Sequence, residues 1–479
     1  MKQCSVVMAL ALALATLVLP SGARSAPVQA KELDSPHSAW LRTTGPLRET
    51  VERHAEEYKT FMNRAKTELS FVSEAIKIAQ QAGYRELRED SDLAPGARFY
   101  DVNRDRTLAL IVVGQEDMRN GFRIVGAHID SPRIEVKPRA LYEAEEFALF
   151  QTNYHGGIKT YQWTNIPLAL MGRVDKKDGT TVQISLGNEP GEPIFIIPDL
   201  SPHVDRDLRE RKSRDVIAHE ELDPLVGHVP KEGEDVKAAI SSFLKSTYDI
   251  EEDDFVSAEL ALVPAYPARD VGFDRGLMAI YGQDDRLSAY AALRAIIDAD
   301  APRVTGIAFL VDNEETGSFN NTGARSTYLV DLMGRLMSTK MADAYRERWL
   351  RQSLRATKAI SSDVNPGINP LWPSVWEPTN APRLGHGVNL KLYGRGFNAN
   401  SEYIAWMRDL LDGGQIPWQT ATYKVGQAGG GTIGVFLSDD NMEVIDLGVP
   451  VLSIHTPYSI SSKIDVYYLY RTMLAFFSN

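Results

Sequence analysis

The stretch Tyr281–Ser318, YGQDDRLSAYAALRAIIDADAPRVTGIAFLVDNEETGS, carries paired acids on either side of a helix and a strand. Within Asp285–Asp300, Leu287, Ala291, Leu293, Ile296 and Ile297 recur at helical spacing, which predicts a helix with one apolar face. Val304–Val311 is a short apolar run and reads as a buried strand. Asp284 stands where that helix begins, and Asn313-Glu314-Glu315 where that strand ends. Acids at a helix N-terminus have a simple electrostatic explanation, and the two glutamates would also suit an exposed turn. They cannot both enter a core uncompensated, because burying unpaired carboxylates is costly. One could ligate a cation while its neighbour takes a proton from water. Carboxyl ends of strands in an open α/β sheet are where ligand sites form.

The same rhythm recurs outward from this unit. Residues 46–84 read as one or two surface helices, and Leu108–Val113 and Arg123–Ala127 as neighbouring buried strands. His128 follows the second of these, and Asp130 comes two residues later, on the same side by strand alternation. A carboxylate so placed can hold an imidazole's tautomer with its other nitrogen toward a metal, although a lone His-x-Asp is often only a structural hydrogen bond. Ser361-Ser362-Asp363 follows a basic helix. Val449–Ile454 reads as a strand ended by His455, with a closing helix at Asp465–Phe477. Between about 140 and 275 the character turns mostly β, with alternating segments at Thr181–Leu186 and Pro193–Ile197 and charged runs at Asp205–Arg214 and Asp249–Asp254. The expected architecture is an α/β domain, residues 31–140 and 275–479, interrupted by a mostly-β insert at 141–274.

Composition bounds the partners. The 479 residues are 43% hydrophobic and 24% charged, ordinary for a globular protein of two or three structural units. A net charge of −12 repels phosphate backbones, so nucleic acid is not an expected partner. Lys2, the apolar run Val6–Leu19 and the small residues up to Ala30 read as a secretory signal peptide. That run is shorter than the ~20 residues a membrane-spanning helix needs. The expectation is therefore a soluble protein without a membrane partner, exported to the periplasm or the medium once residues 1–30 are removed. The only cysteine, Cys4, would leave with them, so any metal ligands must be His, Asp and Glu. Gly429–Gly434 contains G-x-G-x-x-G without a suitable preceding strand or a clear following helix, which argues against dinucleotide binding. His37, His54, His155, His219, His228 and His386 show no ligand-like pairing and are expected mostly at the surface.

Five groups thus place imidazoles and carboxylates at strand or helix ends of one α/β unit, the set a two-metal centre with a free general base requires. Several stretches then fall in a recognisable order: Gly126–Pro138 (GAHIDSPRIEVKP), Tyr154–Trp163 (YHGGIKTYQW), Glu220–Gly227 (EELDPLVG), Tyr281–Arg286 (YGQDDR), Asp312–Ser318 (DNEETGS), Gly429–Ile433 (GGGTI) and Gly448–His455 (GVPVLSIH). In that order and spacing the chain resembles the aspartyl aminopeptidase / aminopeptidase I family of dinuclear zinc exopeptidases. The resemblance implies a zinc-exopeptidase-like mixed-sheet catalytic domain and hydrolysis of the N-terminal residue from peptides. It implies two divalent ions per subunit, most simply Zn²⁺. His128 and Asp363 would be terminal ligands of one ion and Glu315 and His455 of the other, with Asp284 bridging. Asp130 would orient His128, and Glu314 would take a proton from the bridging water and return it to the leaving amine. His203 would steady the reaction in a neighbouring subunit's site, Lys391 would contact substrate, and the subunits would form a homo-oligomer, a dodecamer by likeness.

Some residues depart from the family pattern. Asn365 and Asn369, before Pro370, stand where two histidines are usual, and Ser459 where a glutamate is usual. None would be a metal ligand. They bear on the family's preference for an acidic N-terminal residue, and they leave two rivals: a non-catalytic relative serving as a binding or assembly module, and a dizinc hydrolase of another amide bond.

Overall fold

In the computed structural model, which describes residues 38–393, 397–426 and 429–479, apolar six-residue strands lie at the centre of a nine-stranded mixed sheet. Its order is Arg85–Glu86, Arg98–Asn103, Thr107–Val112, Gly306–Val311, Arg123–His128, Lys358–Ser362, Glu443–Gly448, Val388–Lys391, Trp418–Ala421. The four strands from Gly306–Val311 to Glu443–Gly448 run parallel, so their carboxyl ends open on one edge. Every residue of Thr107–Val112, Gly306–Val311 and Arg123–His128 is buried. Alternation divides them between two cores: Leu108, Leu110, Ala308 and Leu310 face one way, Ala109, Ile111, Ile307 and Phe309 the other. Helices cover both faces, as a sheet apolar on both sides requires. Gly45–Arg64, Glu68–Gln81, Gln283–Asp298, Ser401–Gly413 and Lys463–Ser478 pack in the first core; Tyr328–Met341, Glu347–Ala356 and Gly434–Asp439 pack in the second.

A second sheet is antiparallel throughout, in the order Thr181–Leu186, Leu168–Asp175, Ala258–Pro264, Arg133–Ala144, Phe147–His155, Leu225–Gly227. It has its own apolar core around Ile134, Phe150, Trp163, Leu170 and Leu262. Its first strand begins at Arg133, only five residues after His128, so the chain passes directly from the end of a central strand of the large sheet into this one.

The α/β class holds, and four local expectations are corrected. Thr107–Val112 and Arg123–His128 are not neighbours, because Gly306–Val311 lies between them, antiparallel to one and parallel to the other. The strand of the large sheet near the C-terminus is Glu443–Gly448 rather than Val449–Ile454; Pro450, with no N–H to offer a ladder, starts a two-residue pairing with Asn365–Pro366. Pro193–Ile197 makes only isolated bridges at Phe195 and Ile196. A short helix, Gly434–Asp439, does follow the glycine-rich run. The leader reading of residues 1–30 and His37 lies outside the described residues.

Candidate active site

The parallel strands deliver the site's side chains. His128 ends one central strand and pairs in register with Val311 of the next, whose chain continues to Asp312 and then to the single turn Glu314–Thr316. Lys358–Ser362 ends beside Asp363, and Gly448 lets the backbone there pass: a Cβ at Gly448 would stand 1.8 Å from the Asp363 carbonyl oxygen. Asp284 and Asp285 open the helix Gln283–Asp298 in non-helical conformations, joined by a cis peptide. Gly282 before them is left-handed, at φ 73°, and a Cβ there would strike the buried Arg286 guanidinium. Ser131 donates its hydroxyl to the Asp284 carbonyl. His455 sits in a turn at φ 62°, and its Nδ1 lies 2.8 Å from the Gly157 carbonyl oxygen it donates to, which leaves Nε2 for the cluster.

These groups converge on Asp284. His128 Nε2 lies 3.2 Å from Asp284 Oδ1, 3.8 Å from Glu314 Oε2 and 3.9 Å from Asp363 Oδ1. His455 Nε2 lies 3.1 Å from Asp284 Oδ2 and 3.3 Å from Glu315 Oε1. Two sets of ligand atoms each fall within 4.8 Å of one another: His128, Asp284 and Glu315, and His128, Asp285 and Asp363. Among the described residues, His128 Nε2, Glu315 Oε1, Asp363 Oδ1 and Asp285 Oδ2 are buried without hydrogen-bond partners. Buried polar atoms are nearly always satisfied, so their convergence here fits a cation, and nitrogen and oxygen donors without thiolate suit zinc.

Electrostatics agree. Burial works against the charge of Asp284, but the imidazoles of His128 and His455, 3.2 and 3.1 Å away, hold its carboxyl well below the usual range. Burial pushes Glu315 and Asp285 well up, reinforced by the charges of Asp284 and Asp363 respectively, and raises Asp363 to about 8. Burial opposes the cationic form of both imidazoles, yet the hydrogen bond to Asp130 and the nearby Asp284 carboxylate raise His128 well above its usual value, and Asp284 raises His455 to about 10. Glu314 is also raised, first by burial. Carboxylates outnumber the positive groups, and the surplus negative charge suits cations.

Of the residues expected at the site, His128, Asp130, Asp284, Glu314, Glu315, Asp363 and His455 come together. Lys391 ends the strand Val388–Lys391 and donates from Nζ to the Val364 carbonyl at 3.0 Å, next to Asp363. His203 is exposed, in the segment between Thr181–Leu186 and Leu225–Gly227. Ser459 is buried, donating to the Ile280 carbonyl at 3.0 Å and lying 3.3 Å from Gln283 Nε2. Asn365 is buried as well, while Asn369 accepts from the Leu371 amide at 2.9 Å. Two histidines expected at the surface are buried, His54 in the helical layer and His155 beside Asp130. Asp130 accepts from both sides: Oδ1 is 3.1 Å from His128 Nδ1, and Oδ2 is 2.8 Å from His155 Nε2. It also accepts from the amides of Glu314, at 3.0 Å, and Glu315, at 3.1 Å. Asp285 is the other member missed as a candidate ligand; its side chain accepts from the Val364 amide at 3.3 Å.

An open α/β sheet with imidazoles and carboxylates gathered at the carboxyl ends of its parallel strands defines a metallohydrolase. The family model described as Aminopeptidase I zinc metalloprotease (M18) matches residues 61–477, and the chain belongs to that family. It is 40% identical over 457 residues to the probable M18 family aminopeptidase 1 of Clostridium acetobutylicum, covering 92% of this chain and 98% of the relative. The crystal structure of the M18 aminopeptidase of Thermotoga maritima superposes with a TM-score of 0.88 at 38% identity, over 92% of this chain and 99% of that one. The mApe1 dodecamer of S. cerevisiae shares the fold at 22% identity, with a TM-score of 0.74 over 89% of this chain and 97% of that one.

The chain is thus a metallo-aminopeptidase, a peptide hydrolase, and the non-catalytic reading falls away. The periplasmic or secreted location expected from residues 1–30 is corrected as well, because the chain matches probable M18 family aminopeptidases over 96–98% of their length. Among the described residues no helix is long and apolar enough to cross a membrane.

Proposed function

We propose that this enzyme removes the N-terminal residue from peptides with two divalent ions, zinc foremost. His128, Asp284 and Asp363 would hold one, and Asp284, Glu315 and His455 the other. The observation that carries this reading is the approach of these side chains, from separate segments of the chain, to Asp284 and His128, with buried ligand atoms left unpartnered. Such ions supply Lewis acidity and a stronger water nucleophile near neutral pH.

The chain's own residues do the rest. Asp130 holds the Nδ1–H of His128, which keeps Nε2 bare toward the cluster. Glu314 is left outside the ligand set, takes the proton from the attacking water and returns it to the leaving amine. Its raised pKa suits a group that must both accept and release a proton. Lys391 contacts the substrate beside Asp363. His203, on the exposed part of the six-stranded unit, serves the site of a neighbouring subunit in a homo-oligomer of the kind the yeast dodecamer represents. We take that unit, nominally 141–274, as the insert that makes such contacts.

The test uses the purified full-length protein with zinc. Chromogenic aminoacyl substrates, acidic and neutral, are expected to be cleaved and their N-acetylated forms to be inert. Equal cleavage of blocked and free forms would point instead to an amidase or deacetylase. Glu314→Gln is expected to keep metal and fold while losing about 10²–10⁴-fold in turnover. A variant near the wild-type rate would remove Glu314 from the base role.

A further inference from the structure

Behind Asp130 the polar groups do not stop. His155 ends the strand Phe147–His155 of the six-stranded sheet and is 6% exposed. Its Nε2 meets Asp130 Oδ2 at 2.8 Å, and its Nδ1 lies 3.3 Å from Glu135 Oε1. Glu135 is in turn 2.9 Å from Arg133 Nη2, and Arg133 Nη1 is 2.9 Å from Glu68 Oε2 on the helix Glu68–Gln81. Burial works against a cationic His155, but its hydrogen bonds to Asp130 and Glu135 outweigh that and raise it to about 9. Beyond the imidazole lies a cavity of about 300 Å³ lined by Glu68, Arg106, Arg133, Glu135, His155 and Asp312, among others. The chain of contacts therefore runs from the helical layer, through the first strands of the six-stranded sheet, to the residue that orients a metal ligand.

We propose that His155, steadied by Glu135, is a positioning residue for the metal centre: it clamps one oxygen of Asp130 so that the other faces His128. Without the clamp Asp130 can turn about its Cβ–Cγ bond. The same carboxylate also receives the amides of Glu314 and Glu315, so a turn would loosen the ligand His128 and the backbone carrying the general base together. His155 touches neither substrate nor reacting atoms in this arrangement. Its effect passes through Asp130.

This inference rests on the aminopeptidase reading above, and its test keeps the two apart. His155→Phe fills the space without a donor, the neighbouring cavity offering room for the larger ring, whereas His155→Gln places an amide N–H near the lost Nε2. Zinc affinity of each metal-free protein is measured by competition with a chromophoric chelator, beside melting temperature and kcat and KM at saturating zinc. The expected result for His155→Phe is zinc binding weaker by up to about 10–100-fold, the loss that follows when the released Asp130 no longer supports the ligand His128. Its kcat should fall with KM within twofold, and the metal-free melting temperature should stay within a few degrees of wild type. His155→Gln should recover most of the zinc affinity. If His155→Phe binds zinc as wild type does, or if Gln fares no better than Phe, the clamp is refuted. Should His155→Phe fail to fold, the Gln variant alone decides: zinc affinity within threefold of wild type supports the clamp, and a loss as large as tenfold overturns it. A wild-type protein that binds zinc but cleaves only blocked substrates would sink the aminopeptidase reading and leave the clamp standing.

Discussion

Asp130→Asn is the substitution whose consequences follow most directly from the geometry. The carboxylate accepts two hydrogen bonds on each oxygen: from His128 and the Glu314 amide on Oδ1, and from His155 and the Glu315 amide on Oδ2. An asparagine offers one carbonyl oxygen and one NH₂. If its oxygen takes the Oδ1 place, His128 and Glu314 keep their acceptor. The NH₂ then faces two donors, but His155 can give up its Nε2 proton, keep Nδ1–H toward Glu135 and accept through Nε2. The Glu315 amide has no such freedom and is left buried without an acceptor, which costs about 1–3 kcal/mol. The opposite orientation is worse, because His128 must keep Nε2 bare for a metal and cannot change tautomer. Loss of the negative charge also makes His128 a weaker donor to a cation, about 10–100-fold in zinc affinity. The assay is zinc competition on the metal-free protein together with its melting curve. Zinc affinity within twofold of wild type, with an unchanged melting temperature, would show that Asp130 does not organise the centre.

Two further outcomes follow from the same structure. Removing metal with a chelator leaves Asp284, Asp285, Glu314, Glu315 and Asp363 facing one another; zinc at a hundred times its Kd is expected to stabilise by about 2.7 kcal/mol for each site filled, a rise of several degrees in Tm, and a melting curve indifferent to zinc would refute the site. His54 is held near 4 by burial and by the charge of Arg294, against about 6.5 when unfolded. The native state therefore binds fewer protons between those values, so its stability is full above about 6.5 and falls as the pH drops toward 4, by about 2 kcal/mol at pH 5. His54→Phe, among the rings of Tyr290, Tyr467 and Tyr470, should flatten that part of the Tm–pH curve, and an equal slope in wild type and variant would reject the assignment.

What the amino-acid sequence discloses of this fold divides along physical lines. The helix after Asp284 and the strand before Glu314 announce themselves through local periodicity, and both acid pairs fall at their ends as expected. Strand order is another matter. Thr107–Val112, Arg123–His128 and Gly306–Val311 are equally apolar, and nothing in their own residues says that the third enters between the other two, since that choice is made by long-range packing against both helical layers. Glu443–Gly448 escaped notice because two acids interrupt its apolar run; Asp446 is nevertheless buried, with Lys391 close enough to oppose the rise that burial gives its carboxyl. His155 was missed for a related reason. In Phe147–His155 the buried positions alternate at Ala148, Phe150 and Thr152, then break, so the histidine arrives out of phase with the pattern that would have marked it as inward-facing.

The residues that were legible share a property with those that were not. Each is a polar group buried or half-buried where water would ordinarily solvate it, a conflict that native proteins tolerate mainly at functional sites. Glu314 and Glu315 showed that conflict in sequence because an apolar strand leads straight into them. His155 and Glu135 showed none, since a mostly-β segment with polar and apolar residues in near alternation hides an inward histidine among outward ones. The difference is one of background rather than of importance: Asp130 is gripped equally by a histidine whose role could be read from its motif and by one whose role could not. A search for the remaining determinants of this centre should therefore begin from the unpartnered and doubly partnered buried atoms around Asp130 and Asp363, where packing, rather than pattern, decides which side chain does the holding.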